Sequence, residues 1–146
     1  VGAPFEVGES PEVSAAFSIV FTAAAALLTG EYTLQQVNEP FMRSPEVAEM
    51  MRRIELIDSL PPEESLTAEV EIDTVDGRTL RCRVDHTLGD IHFNPLPGEA
   101  VLEKFRANLR FAGCAESSCE AVRALLDTLE RHPHPAESIA ALLALP

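Results

Sequence analysis

Apolar residues recur at three- and four-residue spacing from Pro11 onward: Val13, Ala16, Phe17, Val20, Phe21, Ala24, Leu27 and Leu28. That spacing predicts a helix from Pro11 to Leu28. Its other face is mostly Ala and Ile, so the helix is expected to be buried nearly all round. Gly30 supplies a stop. Thr33 with Gln36 has the form of a capping box opening a short helix. Ser44-Pro45 pairs an N-cap with a proline at the first helical position, predicting a helix to about Arg53 that carries Val47, Met50 and Met51. Ile54 to Ile57 reads as a short strand, and the two prolines of "LPPEES" end any ladder there.

The period then changes to two. Leu66, Ala68, Val70 and Ile72 alternate with Glu69, Glu71 and Asp73; after Asp76-Gly77, Leu80, Cys82 and Val84 alternate with Arg81 and Arg83. Parity sets the loop length. A two-residue Asp-Gly loop would pair Ile72 with Arg81 and mix the faces. A three-residue loop, Val75 to Gly77, pairs Ile72 with Leu80 and Val70 with Cys82, and sets Glu71 against Arg81 and Glu69 against Arg83. Gly77 takes the left-handed position. One face is expected to be core, with Cys82 buried in it, and the other a solvated charge ladder.

"HTLGDIHFNPLPGEAVLEKF", His86 to Phe105, reads as the joint between this hairpin and a helix striped by Val101, Leu102, Phe105 and Leu109. Two further helices follow. Ser117 or Ser118 is expected to cap one, with Val122, Leu125, Leu126 and Leu129 inward, and Pro135 to start the other, with Ile139, Leu142 and Leu143. The order predicts an α+β fold: a small antiparallel sheet with packed helices, followed by C-terminal helices.

Composition narrows the chemistry. The 146 residues are 46% hydrophobic and 24% charged, enough to bury a core. Eleven Lys and Arg face 24 Asp and Glu, for a formal charge of −13. Such a surface repels phosphate backbones, so no nucleic-acid partner is expected. The apolar run from Phe17 to Leu28 falls short of the roughly 20 residues a membrane span needs, so no membrane partner is expected either. Three Cys without a dense framework suit a reducing, cytoplasmic setting. The chain opens on Val1 and closes on "ALLALP", which reads as a piece of something longer.

Few residues are candidates for chemistry. Cys114, Cys119, His132 and His134 approach a zinc-finger pattern, but one residue separates the histidines where the pattern wants three to five, so no metal is expected. Asp85 and His86 are adjacent on a strand and point to opposite faces, which argues against a triad pair. Glu63 and Glu64 read as a solvated loop pair, and Tyr32, the single phenol, as an exposed loop aromatic.

Four stretches in order, "FSIVFTAAAALLTG", "SPEVAEMMRRIEL", "VEIDTVDGRTLRCRVDHTLGD" and "NPLPGEAVLEKFRAN", resemble the C-terminal region of the MmgE/PrpD family over roughly Pro11 to Gly113. That family includes 2-methylcitrate dehydratase, an enzyme of propionate metabolism, cis-aconitate decarboxylase and iminodisuccinate epimerase. The resemblance implies an α/β lid-type domain over 1–113 and, over 114–146, helices that return to a large helical domain. It implies a lyase or isomerase acting on small polycarboxylates without a cofactor, with the active site between two domains and most acid–base residues upstream of this region. It places Phe21 where the family can carry a Tyr, and Pro97 where a Ser often caps the helix after "NPL". No catalytic residue is assigned with assurance. Lys104, the single Lys, and His86 are the remaining candidates, Lys104 reading better as a surface or interdomain cation. Two readings stay open: a fragment of an enzyme that is itself inactive, or a non-catalytic α+β module mediating subunit contacts. Either is expected to form a homo-oligomer, a dimer through the Leu stripes of the last two helices.

Overall fold

The computed structural model describes Phe5 and residues 8–143, with side chains through residue 141. Among these residues run helices α1 (Pro11–Ala16), α2 (Ile19–Thr29), α3 (Glu39–Met42) and α4 (Pro45–Arg52), strands β1 (Ala68–Asp73) and β2 (Thr79–Val84), then helices α5 (Gly98–Phe111), α6 (Glu116–Leu126) and α7 (Pro135–Leu143). The class is α+β, with a two-stranded antiparallel sheet. The chain divides into two compact units, Val1–Ile57 with Asn108–Pro146, and Asp58–Ala107.

The first unit holds the core. α2 packs on α4, and Ala15, Phe21, Met42 and Val47 are buried together, flanked by Phe5, Val37, Phe41 and Met51. Phe21, Met42 and Val47 each contribute about 1.5–3 kcal/mol by their burial. The expected single helix from Pro11 is two. Ser18 interrupts it: its Oγ accepts the Phe21 N–H at 3.2 Å, capping α2 and leaving α1 to end at Ala16. A serine hydroxyl competes here with the helical ladder and wins. Nor is the segment buried all round, since Val13, Phe17 and Leu27 are exposed while Ala15, Phe21, Ala24 and Ala25 face inward.

The caps that follow agree with the sequence. Gly30 closes α2, and both halves of the Thr33–Gln36 capping box form, on a single 3-10 turn, Leu34–Gln36. Ser44 Oγ accepts the Val47 N–H at 3.3 Å at the start of α4. Ile54 to Ile57 forms no strand and has no ladder partner among the described residues; Leu56 and Ile57 are exposed.

In the second unit the hairpin register is the one parity requires: Glu69 opposite Arg83, Val70 opposite Cys82, Glu71 opposite Arg81 and Ile72 opposite Leu80. The Thr74 N–H donates to the Arg78 carbonyl at 2.8 Å around the loop Val75 to Gly77, and Gly77 has φ of +83°. The apolar face is not core, however. Val70 is 52% exposed, Leu80 48% and Val84 42%, and Cys82 is exposed with them. Two strands have two faces and need a second layer to cover one.

The last helices differ in detail. α6 starts from Ala115, which makes no side-chain cap bond, rather than from Ser117 or Ser118. Cys119 and Val122 are buried, α6 packs on α7, and Leu126 and Leu129 stay exposed, Leu129 having moved onto the 3-10 turn Leu129–Arg131. The expected inward side chains of Leu142 and Leu143 lie outside the described residues.

Candidate functional site

Phe21 lies on the inner face of α2, fully buried. Its ring stacks on Phe5 at a centroid distance of 4.6 Å and meets Phe41 and Tyr32 edge-on at 6.3 and 6.2 Å. Without a hydroxyl, it is a packing residue at the centre of an aromatic cluster. Tyr32 is the phenol beside it. Partial burial pushes the Tyr32 pKa above its usual value, because loss of solvation disfavours the phenolate.

His86 follows β2 in the second unit. Its ring stacks on Phe93 at 4.4 Å, nearly parallel, and its carbonyl accepts the Asn94 Nδ2–H at 3.1 Å. Its Nδ1 is enclosed and has no hydrogen-bond partner. Asp90 orders the loop: its carboxylate accepts the backbone N–H of His92 at 2.8 Å and of Phe93 at 3.1 Å, and its carbonyl accepts the Asn94 N–H at 3.0 Å. The stretch is thus a tied joint, as its turn residues imply. It presents Leu88, Ile91 and Phe93 to solvent.

The neighbouring carboxylate does not serve His86. Asp85 accepts from Arg83 Nε at 2.7 Å, and Arg83 also binds Glu69 at 2.6 Å and Glu64 at 2.7 Å. Bonds to Asp85, Glu64 and Glu69 raise the guanidinium pKa further above its already high value. Glu64 in this cluster was not legible in the sequence, where it read as a solvated loop residue. Only the fold brings residues 64 and 83 together. Lys104 is exposed on α5. The candidates are divided between the units, Phe21 in the first and His86 and Lys104 in the second.

His132 and His134 form a local turn, the His134 N–H donating to His132 Nδ1 at 3.3 Å. Among the described residues no three His, Cys, Asp or Glu are grouped so as to hold a metal ion. No described helix is long and apolar enough to cross a membrane.

Comparison with known proteins gives this arrangement a family. The chain is 36% identical to human cis-aconitate decarboxylase over 112 residues, covering 74% of this chain and 22% of that enzyme. It is 30% identical to the mouse cis-aconitate decarboxylase over 124 residues, covering 82% of this chain and 24% of the enzyme. The chain thus spans less than a quarter of the length of these relatives. Residues 8–136 match the MmgE/PrpD C-terminal domain, and the chain belongs to the MmgE/PrpD family.

Proposed function

We propose that this chain is the C-terminal part of a lyase that decarboxylates or dehydrates a small polycarboxylate, and that the chain alone does not turn it over. The supporting observation is the similarity to two cis-aconitate decarboxylases across about three quarters of the chain, which favours decarboxylation over the dehydration of 2-methylcitrate. The shared chemistry removes a proton next to a carboxylate and then expels carbon dioxide or water. It needs a base within hydrogen-bond reach of that proton and cations on the carboxylates. This chain is poor in both. Arg83 is engaged by three carboxylates, Lys104 is exposed, and the formal charge of −13 opposes a polyanion. The base and the binding cations therefore belong to the part of the relatives' length that this chain does not span. In the whole enzyme the chain shapes and covers the site.

The test is direct. At micromolar concentration the chain should release no carbon dioxide from cis-aconitate and consume no 2-methylcitrate above buffer. Turnover that vanishes in a Lys104→Ala variant would overturn the proposal and make Lys104 a base.

A second role is favoured by exposed apolar surface. Leu126 and Leu129 on the C-terminal segment, 45% and 36% exposed, are suited to contacts between copies of the chain. This homo-oligomeric role is compatible with the first.

A further inference from the structure

The reversal between α5 and α6 sets two thiols in a defined relation. α5 ends in a Schellman motif. Gly113 has φ of +81°, a conformation that glycine tolerates without strain. The Gly113 N–H donates to the Arg110 carbonyl at 3.0 Å, and the Cys114 N–H to the Leu109 carbonyl at 3.0 Å. These bonds pin the backbone of Cys114. Ala115 follows in extended conformation, φ −66° and ψ 149°, and α6 begins at Glu116. Arg110 Nε meets Glu116 Oε2 at 3.6 Å across the bend.

Counting from Glu116, Cys114 stands just before the N-cap residue and Cys119 is the fourth residue of the helix. Side chains at these two positions pack together across a helix start as a hydrophobic staple. Here both are thiols, neither in a disulfide. The N-cap residue of α6, Ala115, makes no side-chain cap bond. Cys119 is buried, while Cys114 is only half-buried. Loss of solvation pushes the Cys119 thiol up, helped by the Glu116 carboxylate and by the Cys114 sulfur and opposed by Arg110.

We infer that Cys114 and Cys119 form a dithiol–disulfide site at the α5–α6 reversal, oxidised by a low-molecular-weight disulfide such as glutathione disulfide. Cys114 loses its proton to solvent and its thiolate attacks one sulfur of glutathione disulfide, expelling one glutathione thiolate. The Cys119 thiolate then attacks the Cys114 sulfur of the mixed disulfide and expels the second. The protein loses two protons and two electrons, the electrons reducing the oxidant to two glutathione molecules. The product ties the residue before the N-cap covalently to the fourth residue of α6, at a helix start without a side-chain cap bond. This site is independent of the proposed catalytic role.

A chain carrying Cys82→Ser, which removes the exposed third thiol, tests it. After equilibration with glutathione disulfide its mass should fall by two hydrogens, both remaining thiols should be lost to titration, and digestion should yield a peptide joined through Cys114 and Cys119. Circular dichroism should show the helices intact. The unsubstituted chain should give the same internal link. Adding Cys119→Ser should leave a glutathione adduct on Cys114; adding Cys114→Ser instead should leave Cys119 unmodified on the same timescale. A lasting glutathione adduct on Cys114 while Cys119 stays titratable, or a link only between chains, would overturn the inference. So would prompt modification of Cys119 without Cys114.

Discussion

Phe21 meets three other aromatic rings and has no exposed surface, so at this residue packing sets the energetics. Truncating such a ring removes its transfer free energy and leaves a cavity that rigid neighbours fill only in part. Phe21→Ala is expected to cost about 3–5 kcal/mol, read as a fall in the urea midpoint with helical signal followed throughout. A loss below about 1 kcal/mol would mean that Phe5, Phe41 and Tyr32 collapse into the space and that the cluster is looser than it looks. The same residue shows how far single positions can be read from sequence. The apolar stripe marks Phe21 as inward, whereas Val13 and Phe17, on the same stripe, are exposed. Ser18 ends the first helix and starts the second, so the stripe does not run on one continuous helix face, and α1 buries Ala15 instead of Val13.

At the scale of elements, the hairpin register agrees with the sequence while the expected burial of its apolar face does not. Its register follows from parity, and parity follows from one loop residue with a positive φ. Gly77 is in open space, so an added methyl group would meet nothing within 4 Å. The cost of Gly77→Ala is therefore purely conformational, roughly 1–2 kcal/mol for forcing a Cβ into the left-handed region. The expected outcome is a destabilised hairpin that keeps its register, seen as faster amide exchange of Thr74 and Gly77 with the Val70–Cys82 cross-strand contacts retained in NMR. A register shift would expose a second loop solution and undo the parity argument. The helix starts divide by the same logic. Ser18, Thr33 and Ser44 all cap through side-chain oxygen bonds to nearby backbone, but only Thr33 and Ser44 stand out in the sequence, because Ser18 lies inside a continuous apolar stripe. Ala115 caps α6 without such a bond, so the nearby Ser117 and Ser118 were misleading.

At the scale of the whole molecule, apolar surface and charge oppose each other. On the proposed homo-oligomeric role, the exposed Leu126 and Leu129 would be covered by a second copy, while a formal charge of −13 on each copy resists association. Salt screens the repulsion within a Debye length of about 8–10 Å near physiological ionic strength and leaves apolar burial intact. Light scattering is therefore expected to show a dimer whose fraction rises with added sodium chloride. Deleting the chain from Cys114 onward should leave a more monomeric protein. A monomer at every salt concentration would remove the homo-oligomeric role and leave the rest of a longer enzyme as the partner of these surfaces.

By itself the sequence determined what acts over a few residues: the hairpin register, the caps at Thr33 and Ser44, the tied loop after β2 and the α+β order of elements. It also carried the family, through four stretches in fixed order. These features depend on backbone bonds, side-chain parity and neighbouring residues, all within a turn or two of chain. The tertiary structure alone decided which apolar faces are covered. Phe21 and Val47 are buried because α2 packs on α4, whereas Val70, Leu80, Cys82 and Val84 are exposed because a two-stranded sheet has no second layer. It decided too that Glu64 joins Arg83 across 19 residues of chain. Periodicity names a face that seeks cover, but what covers it depends on packing between elements distant in sequence.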